Sequence, residues 1–220
     1  MQPGTMGDHS SCKYWSYTSH PDRQAGLGKR CRYLTDAALL SEPVVGRADF
    51  DTRAAHGFMF QGMTPASCTC IIGNYRGTPG CPDLVTCPVK VADDDKVGLA
   101  PELVHGAMRK LDEECNEIMN GYYRWVDGEG QTATLDRQLR KFAIEAAKVF
   151  ERFLTIHPYV DGNGHCARLL VFRMLVWARF PPRQWDIDAT LDLHQELKAY
   201  RREQRGPLIQ KLTLFVLQSM

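Results

Sequence analysis

Apolar residues recur at helical spacing along most of the second half of this chain. The stripe from Leu135 to Phe153 repeats every three or four residues, which is the pattern of a long amphipathic helix. Pro101 suits a first helical turn, and apolar residues follow it at the same spacing as far as Ile118. The almost wholly apolar run from Leu169 to Ala178 predicts a central buried helix. The pattern therefore predicts an all-α, mainly helical protein.

Two glycine-rich regions interrupt this pattern. Residues 68–92 hold glycines and prolines between two short β-favouring runs, Thr69–Ile72 and Leu84–Thr86, so we expect a small β-hairpin there. Residues 120–131 hold three glycines and are predicted to form a loop. Shorter helices are expected at 34–40, 51–62, 191–200 and 208–217, with Ala54, Ala55, Phe58 and Met59 sharing one face of the second.

Composition is consistent with a single helical domain. Residues 1–33 are polar and are predicted to be an N-terminal extension, in part disordered, whereas residues 34–220 hold the apolar repeats of the domain. A formal net charge of +1 indicates no nucleic-acid partner, and no apolar run is long enough to predict a membrane span. No signal peptide is visible, which favours the cytoplasm, although a mature secreted effector would look the same.

The eight cysteines allow several interpretations. Cys68, Cys70, Cys81 and Cys87 cluster in and around the predicted hairpin. Their spacing is not that of a repeated Cys-x-x-Cys zinc site, and a disulfide there would require an oxidising compartment. We therefore expect free thiols. A nucleophilic Cys166 beside a histidine is a weaker alternative, because adjacent helical residues point about 100° apart.

Residues 157–168 concentrate the polar chemistry of the chain. They read His-Pro-Tyr-Val-Asp-Gly-Asn-Gly-His-Cys-Ala-Arg. Glycine at 162 and 164 permits backbone angles closed to other residues, so consecutive N–H groups can converge on an anion. The helix expected to start near Gly164 would point its positive end at the same anion. A glycine turn with a helix cap would use two or three of these residues, but not all of them.

Each polar side chain of this segment has an expected role. His157, as a neutral imidazole, could take a proton from an attacking hydroxyl. Asp161 is a hard oxygen ligand suited to Mg²⁺ or Mn²⁺. Asn163 can donate a hydrogen bond to a phosphate oxygen, and Arg168 can bind a terminal phosphate with two nitrogens. We therefore expect this segment to bind a nucleotide and to act on its phosphates.

The segment resembles the signature of Fic-domain proteins, His-Pro-Phe-x-Asp/Glu-Gly-Asn-Gly-Arg-x-x-Arg. Tyr159 takes the place of the phenylalanine and His165 that of the first arginine. Residues 55–62 and 73–76 resemble the helix and the start of the hairpin "flap" that precede this signature, and 179–182 resemble the turn after it. The resemblance covers roughly residues 50–218.

The resemblance implies a helical Fic fold whose hairpin flap, about residues 68–92, lies over the active site. It implies transfer of AMP from MgATP to a Ser, Thr or Tyr hydroxyl of a target protein, with release of pyrophosphate. His157, Asn163 and Arg168 would be catalytic, and Asp161 would hold the metal. The nucleotide phosphates would be held by Gly162, Asn163, Gly164, His165 and Arg168. The target would bind along the flap as an added strand.

Other activities stay open because of His165, since histidine is shorter than arginine and mostly neutral at pH 7. Fic proteins can also transfer UMP, phosphocholine or phosphate, or can remove AMP. A degenerate domain that binds nucleotide or protein is the non-enzymatic alternative. Many members carry an inhibitory Ser/Thr-x-x-x-Glu-Gly/Asn helix, which no glutamate of this chain matches. Inhibition would then come from a separate protein, be absent in cis, or use a diverged pattern.

Overall fold

The computed structural model describes residues 12, 15–20, 26–41, 49–89, 96–183, 185–188 and 193–219. Across these residues the fold is helical, with no strand. Short 3₁₀ helices occur at Tyr17–Ser19, Ala66–Ile71 and Glu129–Thr132. The α-helices are α1 Gly28–Leu40, α2 Arg53–Phe60, α3 Pro82–Val85, α4 Pro101–Asp127, α5 Leu135–Ile156, α6 Asn163–Trp177, α7 His194–Arg201 and α8 Gly206–Ser219.

Helix α6 lies at the centre of the domain, as its apolar sequence predicts. It packs against α5 and α1, and α5 also packs against α4 and α8. Thr134 begins α5, since its side chain accepts a hydrogen bond from the Arg137 amide at 3.3 Å. The predicted apolar stripe of α5 is buried except at Leu135, which is 58% exposed. The loop between α5 and α6 is thereby held against the core.

The loop predicted at residues 120–131 is wrong over most of its length, because α4 continues to Asp127. The helix tolerates Gly121, and tertiary packing of the neighbouring aromatic residues outweighs its poor helix propensity. The Tyr122 ring packs in the core, and the Tyr123 hydroxyl donates to the Trp177 carbonyl at 2.8 Å. The chain turns only at Gly128.

The predicted β-hairpin flap is also absent from the described residues 68–89. The first β-favouring run lies mainly in a 3₁₀ helix, and Pro82 begins α3 across the second. The intervening segment bonds to the domain rather than forming a ladder with itself: the Arg76 amide donates to the Pro158 carbonyl at 2.8 Å. A disulfide between Cys70 and Cys81 closes the same segment. Residues 90–92 of the predicted flap lie outside the described residues.

The buried face of α2 differs from the predicted one. Met59 is buried as expected, but Phe58 is 37% exposed, and His56 and Phe60 are buried instead. The predicted face did not include His56, whose buried ring is held by contacts described below. Helix α1 starts at Gly28 rather than at Leu34 and so includes the end of the predicted N-terminal extension.

The expectation of free thiols is wrong for part of the cysteine cluster. Disulfides join Cys12 to Cys68 and Cys70 to Cys81. Cys31, Cys87, Cys115 and Cys166 are buried and take no part in these two disulfides. Burial holds the pKa of the Cys166 thiol well above its usual range, so the chemistry of a thiolate nucleophile is not available there.

No described helix is long and apolar enough to cross a membrane.

Candidate active site

The loop between α5 and α6 is shaped by two residues in the left-handed region. Helix α5 ends at His157, whose φ is 52°, and Gly162, whose φ is 80°, precedes the first residue of α6. A β-carbon on Gly162 would overlap the Phe60 ring. Only glycine therefore satisfies both the angle and the space. The first N–H groups of α6 lie at this end of the loop and have no partner within their own helix.

Asn163 holds the loop closed. Its side-chain oxygen accepts from the Tyr159 amide at 2.9 Å, and its nitrogen donates to the Tyr159 carbonyl at 2.9 Å. One amide hydrogen remains for the phosphate contact predicted from the sequence.

Asp161 presents its carboxylate at the start of α6. One oxygen accepts from the Gly162 amide at 2.7 Å. The other accepts from the Ser16 hydroxyl at 2.8 Å and from the Tyr17 amide at 3.3 Å. No group of three or more His, Cys, Asp or Glu side chains that could hold a metal is found in the described part of the chain. A cation bound here would rely on Asp161 and on phosphate oxygens.

His157 is neutral at pH 7. Burial lowers the pKa of its imidazole to about 4, and the nearby positive charge of Arg76 adds to this effect. The nearby Leu154 carbonyl raises that pKa and so opposes the shift. Buried Nδ1 nevertheless has no hydrogen bond of good geometry among the described residues. A neutral ring is the form that can accept a proton.

Arg76 anchors the backbone that carries His157. It is fully buried, and its guanidinium donates to the carbonyls of His157 at 2.8 Å and Ile156 at 3.0 Å. It also donates to the carbonyls of Leu99 at 2.9 Å and Cys87 at 3.0 Å. These bonds satisfy carbonyls at the end of α5, where a positive charge is favourable. The sequence resemblance included Arg76 only as part of the flap and gave it no role.

His56 also supports the loop, through its ring face and both ring nitrogens. Its ring stacks on the Tyr159 ring with centroids 3.9 Å apart. Nδ1 accepts from the Gly73 amide at 3.0 Å, so Nε2 carries the hydrogen and donates to the Asp161 carbonyl at 3.1 Å. Burial lowers the pKa of His56 to about 3, in agreement with a neutral ring. His56 therefore has a structural role, since both ring nitrogens bond to the backbone around the loop.

The structure explains why a tyrosine can occupy position 159. Its hydroxyl, fully buried, lies 2.8 Å from the Thr52 hydroxyl. A buried phenol is tolerated here because Thr52 supplies a partner that a phenylalanine would not need.

Arg168 lies one turn into α6 with its guanidinium near the start of the helix. Nε donates to the Ile187 carbonyl at 2.7 Å, which fixes the plane of the group. A β-carbon on Gly164 would approach Nη1 to 3.1 Å, so glycine leaves room for the guanidinium there. No further hydrogen bond to the two terminal nitrogens is found among the described residues. Burial lowers the pKa of Arg168, yet arginine stays charged.

His165 faces Asp188 rather than an open cleft. It is 3% exposed, and its Nε2 donates to the Asp188 carboxylate at 2.9 Å. Burial lowers its pKa, although the Asp188 contact opposes that shift. Sequence reasoning did not find Asp188, which lies 23 residues further along the chain.

The side of the loop that bears Asp161 is covered by residues 15–20 of the N-terminal extension. A separate cleft of about 360 Å³ lies beside α6, and none of residues 157–168 lines it. Its walls include Asp51, Arg53, Tyr75 and Leu170. The cleft is therefore not the opening to the candidate active site.

The described part of the chain is a helical domain whose two central helices, α5 and α6, are joined by a glycine-containing loop. A model of the Fic/DOC family matches residues 51–175, which is more than half of the chain. The chain therefore belongs to the Fic/DOC family, whose members are generally transferases. A comparison with curated proteins gives no significant match.

Proposed function

We propose that this protein is an adenylyltransferase that moves AMP from ATP to a Ser, Thr or Tyr hydroxyl of a target protein. One observation carries the proposal: a neutral histidine and a carboxylate flank the start of a helix that also carries a buried guanidinium. This set provides a base, a metal ligand and an anion site within one loop. Family membership supports a transferase, and AMP transfer is common in the family.

The residues at the loop fit a magnesium or manganese nucleotide. Mg²⁺ typically binds one or two carboxylates together with substrate phosphates, and Asp161 supplies one such carboxylate. The first N–H groups of α6 and the terminal nitrogens of Arg168 supply donors for phosphate oxygens. A bound divalent cation would offset negative charge on the phosphates during the reaction.

The proposed reaction uses these residues in turn. Nε2 of His157 accepts the proton of the target hydroxyl as its oxygen forms a bond to the α-phosphorus. The bond from the α-phosphorus to the bridging oxygen breaks, and pyrophosphate leaves. The N–H groups that follow Gly162, with the Asn163 amide, stabilise charge on the α-phosphate. Arg168 holds the terminal phosphate and aligns the leaving group.

The position of His165 favours a second candidate in which the donor is not ATP. In the family signature this position holds an arginine, whereas here a neutral imidazole bonds to Asp188. The site therefore offers one guanidinium, from Arg168, where the signature offers two. A donor with a smaller or less charged leaving group, such as CDP-choline, would need fewer cationic contacts.

Target binding also differs from the arrangement implied by the resemblance. No strand edge is found in residues 68–89, so the added-strand contact with a target lacks its template there.

A labelling experiment with matched donors tests the proposal. The purified chain is incubated with lysate and with ATP labelled on the α- or the γ-phosphate, UTP or GTP labelled on the α-phosphate, or CDP-choline labelled in the choline. AMP transfer predicts protein labelling from α-labelled ATP alone. Labelling from another donor instead would support the second candidate, and a lack of labelling with every donor would support a binding module.

Replacement of the proposed base provides the control. His157→Ala should lower the transfer rate by ~10²–10⁴-fold, because a positioned general base is lost. Its affinity for MgATP should stay within a few-fold of the wild-type value, since other residues hold the phosphates. His105→Ala, at an exposed histidine on α4, should transfer at the wild-type rate. Wild-type transfer by His157→Ala would remove His157 from the mechanism.

A further inference from the structure

We propose that Cys12 and residues 15–20 belong to a tethered inhibitory segment that occupies the metal-binding side of the loop and must leave before a metal nucleotide binds. This inference rests on the proposed function, because it assigns regulation to the same site. It assigns the inhibition in cis to a part of the chain with no match to the family's inhibitory helix.

The segment bonds to the carboxylate that the proposed function gives to the metal. The Ser16 hydroxyl and the Tyr17 amide both donate to the same oxygen of Asp161, at 2.8 and 3.3 Å. The other oxygen accepts from the Gly162 amide. A cation approaching Asp161 would have to displace the Ser16 and Tyr17 donors, because their hydrogens point at the lone pairs it would use. Binding of the segment and binding of the cation therefore compete.

The Tyr17 ring covers the phosphate side of the loop. Its centroid lies 5.1 Å from those of Phe60 and His165, and the ring meets His165 edge-on. It is also near enough to Arg168 to influence the pKa of that guanidinium. The ring therefore lies beside the first turn of α6, where the N–H groups and Arg168 would receive phosphates.

Three further contacts hold the segment, two from Trp15 and one from Cys12. The Trp15 indole donates to the Met63 carbonyl at 2.9 Å, and its ring meets Phe60 edge-on at 5.9 Å. The Cys12–Cys68 disulfide joins the segment covalently to the domain across 56 residues of sequence. A covalent tether raises the local concentration of the segment at the loop.

The tether makes the inhibition sensitive to thiols. A dithiol reductant would break the Cys12–Cys68 bond by exchange, each sulfur would gain a hydrogen, and the reductant would close into its own disulfide. The segment would then hold the loop only through its non-covalent contacts. An oxidising environment would keep the protein inhibited, and a reducing one would release it.

Binding of Mn²⁺·ADP to the full-length oxidised protein tests the competition without relying on activity. The double variant Ser16→Ala/Tyr17→Ala should bind at least about tenfold more tightly than the wild type, since a competing contact worth about 1.4 kcal/mol would be removed. Tyr33→Ala is the matched control, because this tyrosine is 62% exposed and packs on Phe58 instead. It should bind as the wild type does. Unchanged or weaker binding by the double variant would overturn the proposal.

Hydrogen exchange of the wild-type protein gives a second test that needs no variant. The Tyr17 amide is protected by its bond to Asp161, so saturating Mn²⁺·ADP should speed its exchange. Continued protection with the nucleotide bound would show that the two do not compete.

The tether is tested by separating the two disulfides. A dithiol should tighten Mn²⁺·ADP binding to the wild type and to Cys81→Ser, which keeps Cys12–Cys68. It should have no effect on Cys12→Ser, whose affinity is already raised. Equal responses of Cys12→Ser and Cys81→Ser would exclude Cys12–Cys68 as the switch.

The outcomes distinguish this inference from the proposed function. Tighter Mn²⁺·ADP binding by the double variant, without protein labelling from any donor, would support the inhibitory segment and contradict the transferase. Labelling by the wild type at the rate of the double variant would support the transferase and contradict the segment.

Discussion

Replacing Arg76 by methionine is expected to destabilise the fold substantially. The guanidinium makes four hydrogen bonds to carbonyls of His157, Ile156, Leu99 and Cys87, at 2.8–3.0 Å. Bonds to a charged donor contribute about 1.5–3 kcal/mol each, so at least about 6 kcal/mol is lost. No ion pair of Arg76 with a carboxylate is found among the described residues, and removal of this buried charge returns several kcal/mol. Because the Leu99 amide still bonds to Ile156, at 3.3 Å, we expect a net loss of about 3 kcal/mol.

The measurement is urea unfolding of the oxidised protein, with the midpoint and the slope compared between variants. Arg76→Lys should be destabilised at least as much as Arg76→Met. It keeps a buried charge, and one ammonium cannot reach carbonyls on separate segments as a planar guanidinium does. Arg140→Met is the control: this arginine is exposed and pairs with Asp136, so its unfolding midpoint should stay close to that of the wild type.

The result that would refute the reasoning is wild-type stability of Arg76→Met, or of Arg76→Lys. Either would mean that the four carbonyls find other partners at little cost. Arg76→Met should also raise the pKa of His157, because the Arg76 charge helps to lower that pKa. Titration of the His157 ring by NMR would check this second consequence.

The remaining predictions concern the loop and its dependence on pH. Gly162→Ala should lower the free energy of unfolding by about 1–3 kcal/mol, because the added carbon overlaps a buried ring at a positive φ. Gly106→Ala within α4 is the control and should raise that free energy by up to about 1 kcal/mol. Thermal unfolding measures both, and equal effects would contradict the special role of Gly162. His56 and His157 have folded pKa values of about 3 and about 4 against an ordinary 6.5, so the unfolded chain binds protons more readily as the pH falls. Their contribution to stability is therefore full above pH 6.5 and decreases below it, by about 2.7 kcal/mol per pH unit between roughly pH 5.5 and 4.5. His56→Gln should about halve that slope in urea titrations, and an unchanged slope would contradict the assignment.

Local features of the sequence determined much of the helical architecture. The repeat in α5 and the apolar run in α6 predicted both helices, since a helix with one apolar face must bury it and one that is apolar throughout must lie inside. The motif from His157 to Arg168 likewise predicted a glycine loop before a helix. Its glycines and its periodicity are properties of adjacent residues, and the sequence contains them directly.

Elements whose conformation depends on distant partners were not predicted correctly. The flap was expected to be β because short β-favouring runs flank several turns. Instead Arg76 bonds to the end of α5, and Cys70 pairs with Cys81. Three glycines predicted a loop at 120–131, yet aromatic packing extends α4 to Asp127. In both regions tertiary contacts contribute more than the local preference of the chain.

The environment of the candidate site was decided by the tertiary structure alone. The sequence placed His165 in the motif, but only the fold brings Asp188 to it, 23 residues away. His56 meets Asp161 across 105 positions, and Ser16 meets the same residue across 145. Hydrogen bonds form between groups that are close in space, and no local pattern records which distant segments come together. Twelve consecutive residues therefore supply the functional groups of the loop. Access to the loop and its electrostatic environment depend on how the rest of the chain folds around those residues.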